Sequence, residues 1–118
     1  MKSMLLIESP VLAKVFGEVF EKLGWTVVIC TSRDSAMSQV AGSEPYDLIL
    51  LSDQVAGTNG VQLIRFIRLL EHRMMTAVVM VAGSGEVTDE AKAAGADEVL
   101  VKPVNVSTLI LAVDKHVS

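Results

Sequence analysis

Tyr46-Asp47-Leu48-Ile49-Leu50-Leu51-Ser52-Asp53-Gln54-Val55-Ala56-Gly57-Thr58-Asn59-Gly60 is the stretch on which the fold turns. Apolar residues fill consecutive positions from Leu48 to Leu51, then two polar residues and a glycine-bearing turn follow. A short continuous apolar run between polar boundaries fits a strand covered on both faces, the pattern of a parallel sheet. The expected strand is Asp47–Leu51.

Four more runs of this kind flank it: Ser3–Ile7, Thr26–Cys30, Ala77–Ala82 and Glu98–Val101. Segments of helical period alternate with them. Val11, Leu12, Val15, Phe16, Val19, Phe20 and Leu23 recur at spacings of three and four, which predicts an amphipathic first helix. Pro10 sits before its first turn and Gly24 after its end. A second helix is expected from Ser32 or Arg33, burying Ala36, Met37 and Val40. The third is expected from Val61 to Glu71, burying Leu63, Ile64, Ile67 and Leu70. A short fourth runs from Val87 to Ala94 and stops at Gly95. The fifth starts after Asn105, an N-cap candidate, and buries Leu109, Ile110 and Val113. Strict alternation of strand and helix implies a doubly wound α/β fold, a parallel sheet with helices on both faces. No linker, repeat or low-complexity tract is visible, so residues 1–118 are expected to form one domain.

Composition excludes several function classes. Of 118 residues 51% are hydrophobic, enough for one ordinary core. The longest apolar run, Ala77–Ala82, is far short of the roughly 20 residues that cross a bilayer. With one lysine, then a strand-like run and no small-residue cleavage site, a secretory leader is not expected. The single cysteine, Cys30, excludes an internal disulfide and suits a reducing compartment. A cytoplasmic location is the expectation. The net charge of −4 argues against a nucleic-acid footprint, which needs a clustered basic face. Arg65, Arg68 and Arg73, the densest basic group, read as a solvated helix face.

The quoted stretch resembles the third strand and following loop of response-regulator receiver domains, the modules of two-component (phosphorelay) signalling. In that family the segment usually reads Y-D-L-I-L-M-D-x-Q-M-P-G-x-D/N-G. The resemblance covers the whole chain. Pro10, Gly24 and Trp25 match the opening helix and its exit turn. Val27 and the pair Ala36-Met37 fall at the second strand and second helix. Ala94-Gly95-Ala96-Asp97-Glu98 followed by Lys102-Pro103 is similar to the A-G-A-D-D-x-L-x-K-P signature. The resemblance implies five parallel strands in the flavodoxin-like order 2-1-3-4-5.

It also implies a phosphoacceptor pocket at the carboxyl ends of the strands. In a working receiver two acids and an acceptor Asp hold a divalent cation through oxygen ligands. The cation and a Lys neutralise the transferring phosphoryl group. A hydroxyl on strand four and an aromatic on strand five then relay the change. Carried onto this chain, the acid pair falls on Ile7 and Glu8, the acceptor on Ser52, the hydroxyl on Ala82, the aromatic on Val99 and the lysine on Lys102. Glu8 and Lys102 keep a charged group, while Ile7, Ser52, Ala82 and Val99 have lost theirs. A serine hydroxyl cannot form the acyl phosphate on which receiver signalling runs. No metal site or cofactor is expected, and Glu8 is expected to pair directly with Lys102 across the vacated cleft.

Asp53 is the alternative acceptor, with Mg²⁺ and Glu8. That reading needs a one-residue slip in a segment that matches without gaps. Neighbours on a strand also point to opposite faces, so Asp53 reads as a solvated loop or capping residue. Ser52 has no histidine base near it in sequence; His72 falls near the end of the third helix, where a cation suits the dipole, and His116 in the terminal helix. The glycine-rich Ala82-Gly83-Ser84-Gly85-Glu86 lacks the spacing of a phosphate-binding loop. The expectation is a degenerate receiver without enzyme activity that binds a signalling protein through its fourth-helix, fifth-strand and fifth-helix face. Homodimerisation stays open, and no nucleic acid or membrane partner is expected. A small-ligand binder using the crevice at the topological switch point is a third reading.

Overall fold

A computed structural model describes residues 1–117. Five strands form one parallel sheet: β1 (Ser3–Ile7), β2 (Thr26–Cys30), β3 (Leu48–Ser52), β4 (Ala77–Ala82) and β5 (Glu98–Val101). Their order is β2-β1-β3-β4-β5, with the chain reversing its winding direction between β1 and β3. A two-residue-per-arm antiparallel hairpin, Gln54–Val55 with Thr58–Asn59, stands outside the sheet just after β3. Sequence had foreseen a loop there.

Helices cover both faces. On one lie α1 (Pro10–Lys22) and α5 (Val106–Lys115), closing a core of Met4, Leu6, Phe16, Phe20, Trp25, Leu48, Leu50, Val79, Val81, Leu109 and Val113. On the other lie α2 (Arg33–Ala41), α3 (Gly60–Leu69) and α4 (Thr88–Ala94), over Leu5, Ile7, Ile49, Leu51, Val78, Met80 and Ala82. Alternate residues of β1, β3 and β4 therefore go to opposite layers, and both layers are apolar, which is why these strands read as unbroken hydrophobic runs. Cys30, at the end of β2, is buried among the second set.

Local chemistry sets the helix boundaries. Pro10 opens α1, where its missing N–H costs nothing. Ser32, Asn59 and Asn105 cap α2, α3 and α5 by accepting the N–H groups of Ser35, Gln62 and Thr108. Gly95 ends α4 with φ +123, a conformation natural to glycine. The strand β3 begins one residue later than expected because Asp47 serves as a tether. Its Oδ2 accepts the Ser3 N–H at 2.7 Å while its own N–H donates to the Ser3 carbonyl, so its carboxylate takes the place of a backbone acceptor at the start of the ladder.

Two expectations need correction. The face of α1 that reaches the core carries Ala13, Phe16, Gly17 and Phe20, whereas Val11, Val15 and Leu23 are exposed. The small residues are inside because the helix lies close to the sheet: a Cβ on Gly17 would meet Ile29 Cδ1 at 3.2 Å. The arginines are not a solvated face either. Arg73, 2% exposed, donates to the carbonyls of Val40, Gly42 and Glu44 beyond and at the end of α2, and stands 5.0 Å from the Tyr46 ring centroid. Arg68 donates to the carbonyls of Gly95, Arg73, Met74 and Thr76 and to Asp97. Only Arg65 is largely solvated, 3.9 Å from Glu90.

Candidate functional site at the carboxyl edge of the sheet

The five strands end together, and the residues singled out from sequence gather at that edge. Ser52 is the last residue of β3, opposite Val81 of β4, and only 1% exposed. Alternation along β3 puts it with Leu48 and Leu50 on the α1/α5 side. Its Oγ accepts the Gln54 N–H at 3.2 Å, so the hydroxyl closes the turn into the hairpin. Gly60, which opens α3 after that hairpin, has no room for a side chain: a Cβ there would press into the Ser52 carbonyl and reach within 2.7 Å of Met80 Cε. The glycine is therefore demanded by the close return of the chain over the end of β3.

Asp53 is placed otherwise than the sequence suggests. It is 8% exposed, and its Oδ2 accepts the Gly83 N–H at 3.2 Å just past the end of β4. Its own N–H donates to the Val81 carbonyl, and its carbonyl accepts the Gly60 N–H. Strand alternation does send Ser52 and Asp53 in different directions, but the strand stops at Ser52. The following turn keeps Asp53 folded against β4 instead of releasing it to solvent.

Glu8 follows β1 directly and is 3% exposed. Burying a carboxylate costs several kcal/mol unless polar partners replace water. Here Glu8 Oε1 accepts the Ser9 N–H at 2.8 Å, at the amino end of α1, where the helix dipole favours negative charge. The expected pair with Lys102 does not form: no carboxylate lies within 4.0 Å of Lys102 among the described residues. Glu8 turns onto its own helix start, and Lys102 lines a crevice on the α1/α5 side together with Leu12, Phe16, Val81, Pro103 and Val104. The Lys102 N–H donates to the Ala82 carbonyl, and the Lys102–Pro103 peptide is cis.

Ala82 closes β4, fully buried in the α2/α3/α4 layer, and Val99 lies half-buried in β5 against the same layer. Neither carries a hydrogen-bonding side chain. Among the described residues no three His, Cys, Asp or Glu side chains converge as a cation site. Sequence reasoning missed the Asp53–Gly83 contact and the hairpin beside it. The signal available was Gly83, whose position directly after the strand leaves its N–H free for a neighbouring acceptor.

With this geometry established, comparison with known proteins gives the family. The response regulator receiver domain family matches residues 5–114, and the chain belongs to it. It is a family of signalling modules in two-component systems. The chain is 37% identical over 98 residues to the phosphate regulon transcriptional regulatory protein PhoB of Klebsiella pneumoniae, covering 78% of this chain and 41% of that protein. It is 24% identical over 113 residues to hybrid signal transduction histidine kinase A of Dictyostelium discoideum, covering 92% of this chain and 5% of the kinase. The chain thus spans less than half the length of these relatives. Among solved structures, the chemotaxis response regulator of Vibrio cholerae superposes with a TM-score of 0.91 at 20% identity, covering 99% of each chain. The receiver domain of a Pseudomonas aeruginosa sensor histidine kinase, solved with a magnesium ion coordinated in its active site cleft, gives 0.86 at 20% identity over 97% of this chain and 95% of that one. At such identity these two likenesses speak for the fold. Among the described residues no helix is long and apolar enough to cross a membrane.

Proposed function

We propose that the chain is a receiver-type module that signals by protein–protein interaction and takes no phosphoryl group at the usual position. The observation that carries this reading is Ser52, buried at the end of β3 with its hydroxyl committed to the Gln54 N–H. An alkyl hydroxyl needs a base to become nucleophilic, and no histidine lies on the carboxyl edge. Ala82 and Val99 offer neither the hydroxyl nor the aromatic of a conformational relay, so nothing bistable is left for a ligand in the cleft to bias. Glu8 and Asp53, each folded onto a backbone N–H, make a poor host for a divalent cation that must shed water. No step is assigned to a metal.

The proposed partner surface is the α4–β5–α5 face. Val101 of β5 and Leu111 of α5 are 40% and 70% exposed, and Glu98, Thr108 and Lys115 give a polar rim near Leu111. The module is read as acting without catalysis, in a cytoplasmic setting, by its presence and constant affinity. The check is the amide spectrum of the protein with Mg²⁺ and acetyl phosphate. It is expected to stay unchanged, and shifts clustered at Asp53, Gly83 and β5 would overturn the reading.

A second reading has one observation in its favour. Asp53 is not solvated: its carboxylate stands between the ends of β3 and β4 on the Gly83 N–H. Asp53 as phosphoacceptor, with Mg²⁺ held partly by Glu8, is the alternative.

A further inference from the structure

The crevice that Lys102 lines is a feature the partner-face reading does not use. It opens on the α1/α5 layer, has a volume of about 240 Å³, and is lined by Leu12 and Phe16 from α1, Val81 from β4, and Lys102, Pro103 and Val104 from the end of β5 and the segment after it. Five of these six residues are apolar. Val81 is 1% and Phe16 8% exposed, so the inner wall is continuous with the α1/α5 core. Lys102 is the one charged residue in the lining, is half-buried, and has no carboxylate within 4.0 Å among the described residues. Glu8, the acid that follows β1 at the carboxyl edge, is committed to the Ser9 N–H.

From this geometry we infer a binding site for a small apolar monocarboxylate, its hydrocarbon body against Leu12, Phe16, Val81 and Val104 and its carboxylate on the Lys102 ammonium. The charge count selects the ligand. A single lysine over an apolar floor neutralises one negative charge, and a phosphate dianion would leave a second charge facing hydrocarbon. Lysine is a point charge, so it sets no demand for a planar two-pronged partner as arginine would. The volume admits an aryl or short alkyl group and excludes a nucleotide. Lys102 is half-buried and has no carboxylate partner among the described residues, so a ligand carboxylate would supply the charge-assisted hydrogen bond that the protein does not.

The inference is independent of whether Asp53 or Ser52 is ever phosphorylated, and its test needs no phosphodonor. Phenylacetate is titrated into the ¹⁵N-labelled protein, with phenylacetamide as the neutral probe of equal shape and inorganic phosphate as the anion without an apolar body. The expected result is saturable shifts at Leu12, Phe16, Val81 and Val104 with phenylacetate, at least about tenfold weaker binding of phenylacetamide, and none of these shifts with phosphate. Lys102→Gln, at a half-buried position without an ion pair, is expected to keep the fold and to weaken phenylacetate to the level of the amide. Val104→Glu, which puts a like charge in the crevice, is expected to abolish binding. Equal affinity for acid and amide, an unchanged affinity in Lys102→Gln, or shifts scattered outside the α1/α5 layer would each overturn the assignment.

Discussion

The two edges of the sheet use charge in opposite ways. At the amino edge, Arg68 and Arg73 are folded inward and hold together α2, α3, α4 and the starts of β3 and β4 through backbone carbonyls. Arg73 reaches across 29 to 34 residues of sequence, and Arg68, besides carbonyls 5 to 8 residues on, reaches Gly95 and Asp97 at 27 and 29, so both bind the fold over long range. At the carboxyl edge, the side chains of Ser52 and Glu8 bond only to neighbours one or two residues away, and Lys102 finds no acid among the described residues. Asp53 to Gly83 is the single long tie there among these side chains. Long-range side-chain ties gather at one end, and the residues of the proposed pocket lie at the other.

Substitutions at the two edges should therefore separate widely in urea unfolding. Arg73→Met is expected to have the largest effect, a loss of about 3 kcal/mol or more, since it strands buried carbonyls that had a charged donor. Against a total of roughly 5–15 kcal/mol this is a large share. Arg68→Ala should cost less, about 2 kcal/mol, because its side chain is 20% exposed and water can replace part of what it gives. Ser52→Ala and Lys102→Gln should each stay within about 1 kcal/mol. A carboxyl-edge variant as damaging as Arg73→Met would break the contrast.

The smallest expected effect is on pH dependence. Burial raises the Glu98 pKa, but hydrogen bonds from His116 and Lys115 outweigh it and hold the carboxyl below its ordinary 4.5. A depressed carboxyl pKa stabilises the fold above the unfolded value, and that contribution is lost as pH falls through the folded one. Unfolding midpoints measured from pH 6 downward should show this acid-side loss, and His116→Ala should flatten part of it.

Strand positions were almost wholly legible because the sheet is covered on both faces, and continuous apolar runs have no other use in a chain of this size. The miss at β3 came from Asp47, whose carboxylate does the work of a ladder bond. Legibility failed where the partner is backbone. Arg68 and Arg73 lie on the sequence like any surface basic pair, since the carbonyls they meet leave no mark in composition. Asp53 failed for a related cause: alternation predicts directions inside a strand, and Asp53 is the first residue beyond one. In α1 the apolar spacing fitted two overlapping faces, and the small residues Ala13 and Gly17, silent in a hydrophobic pattern, decided between them. The pocket positions of Glu8, Ser52, Ala82 and Lys102 came from the family motif, whereas the direction in which Glu8 and Lys102 turn did not.

The central claim, that this receiver takes up no phosphoryl group and signals without one, is met most directly by intact mass. The protein is incubated with acetyl phosphate and Mg²⁺ and weighed beside Ser52→Asp and Asp53→Asn. The account predicts no phosphoryl gain for the unaltered chain. A gain of one phosphoryl group on the unaltered chain, absent in Asp53→Asn, would contradict it and make Asp53 the acceptor.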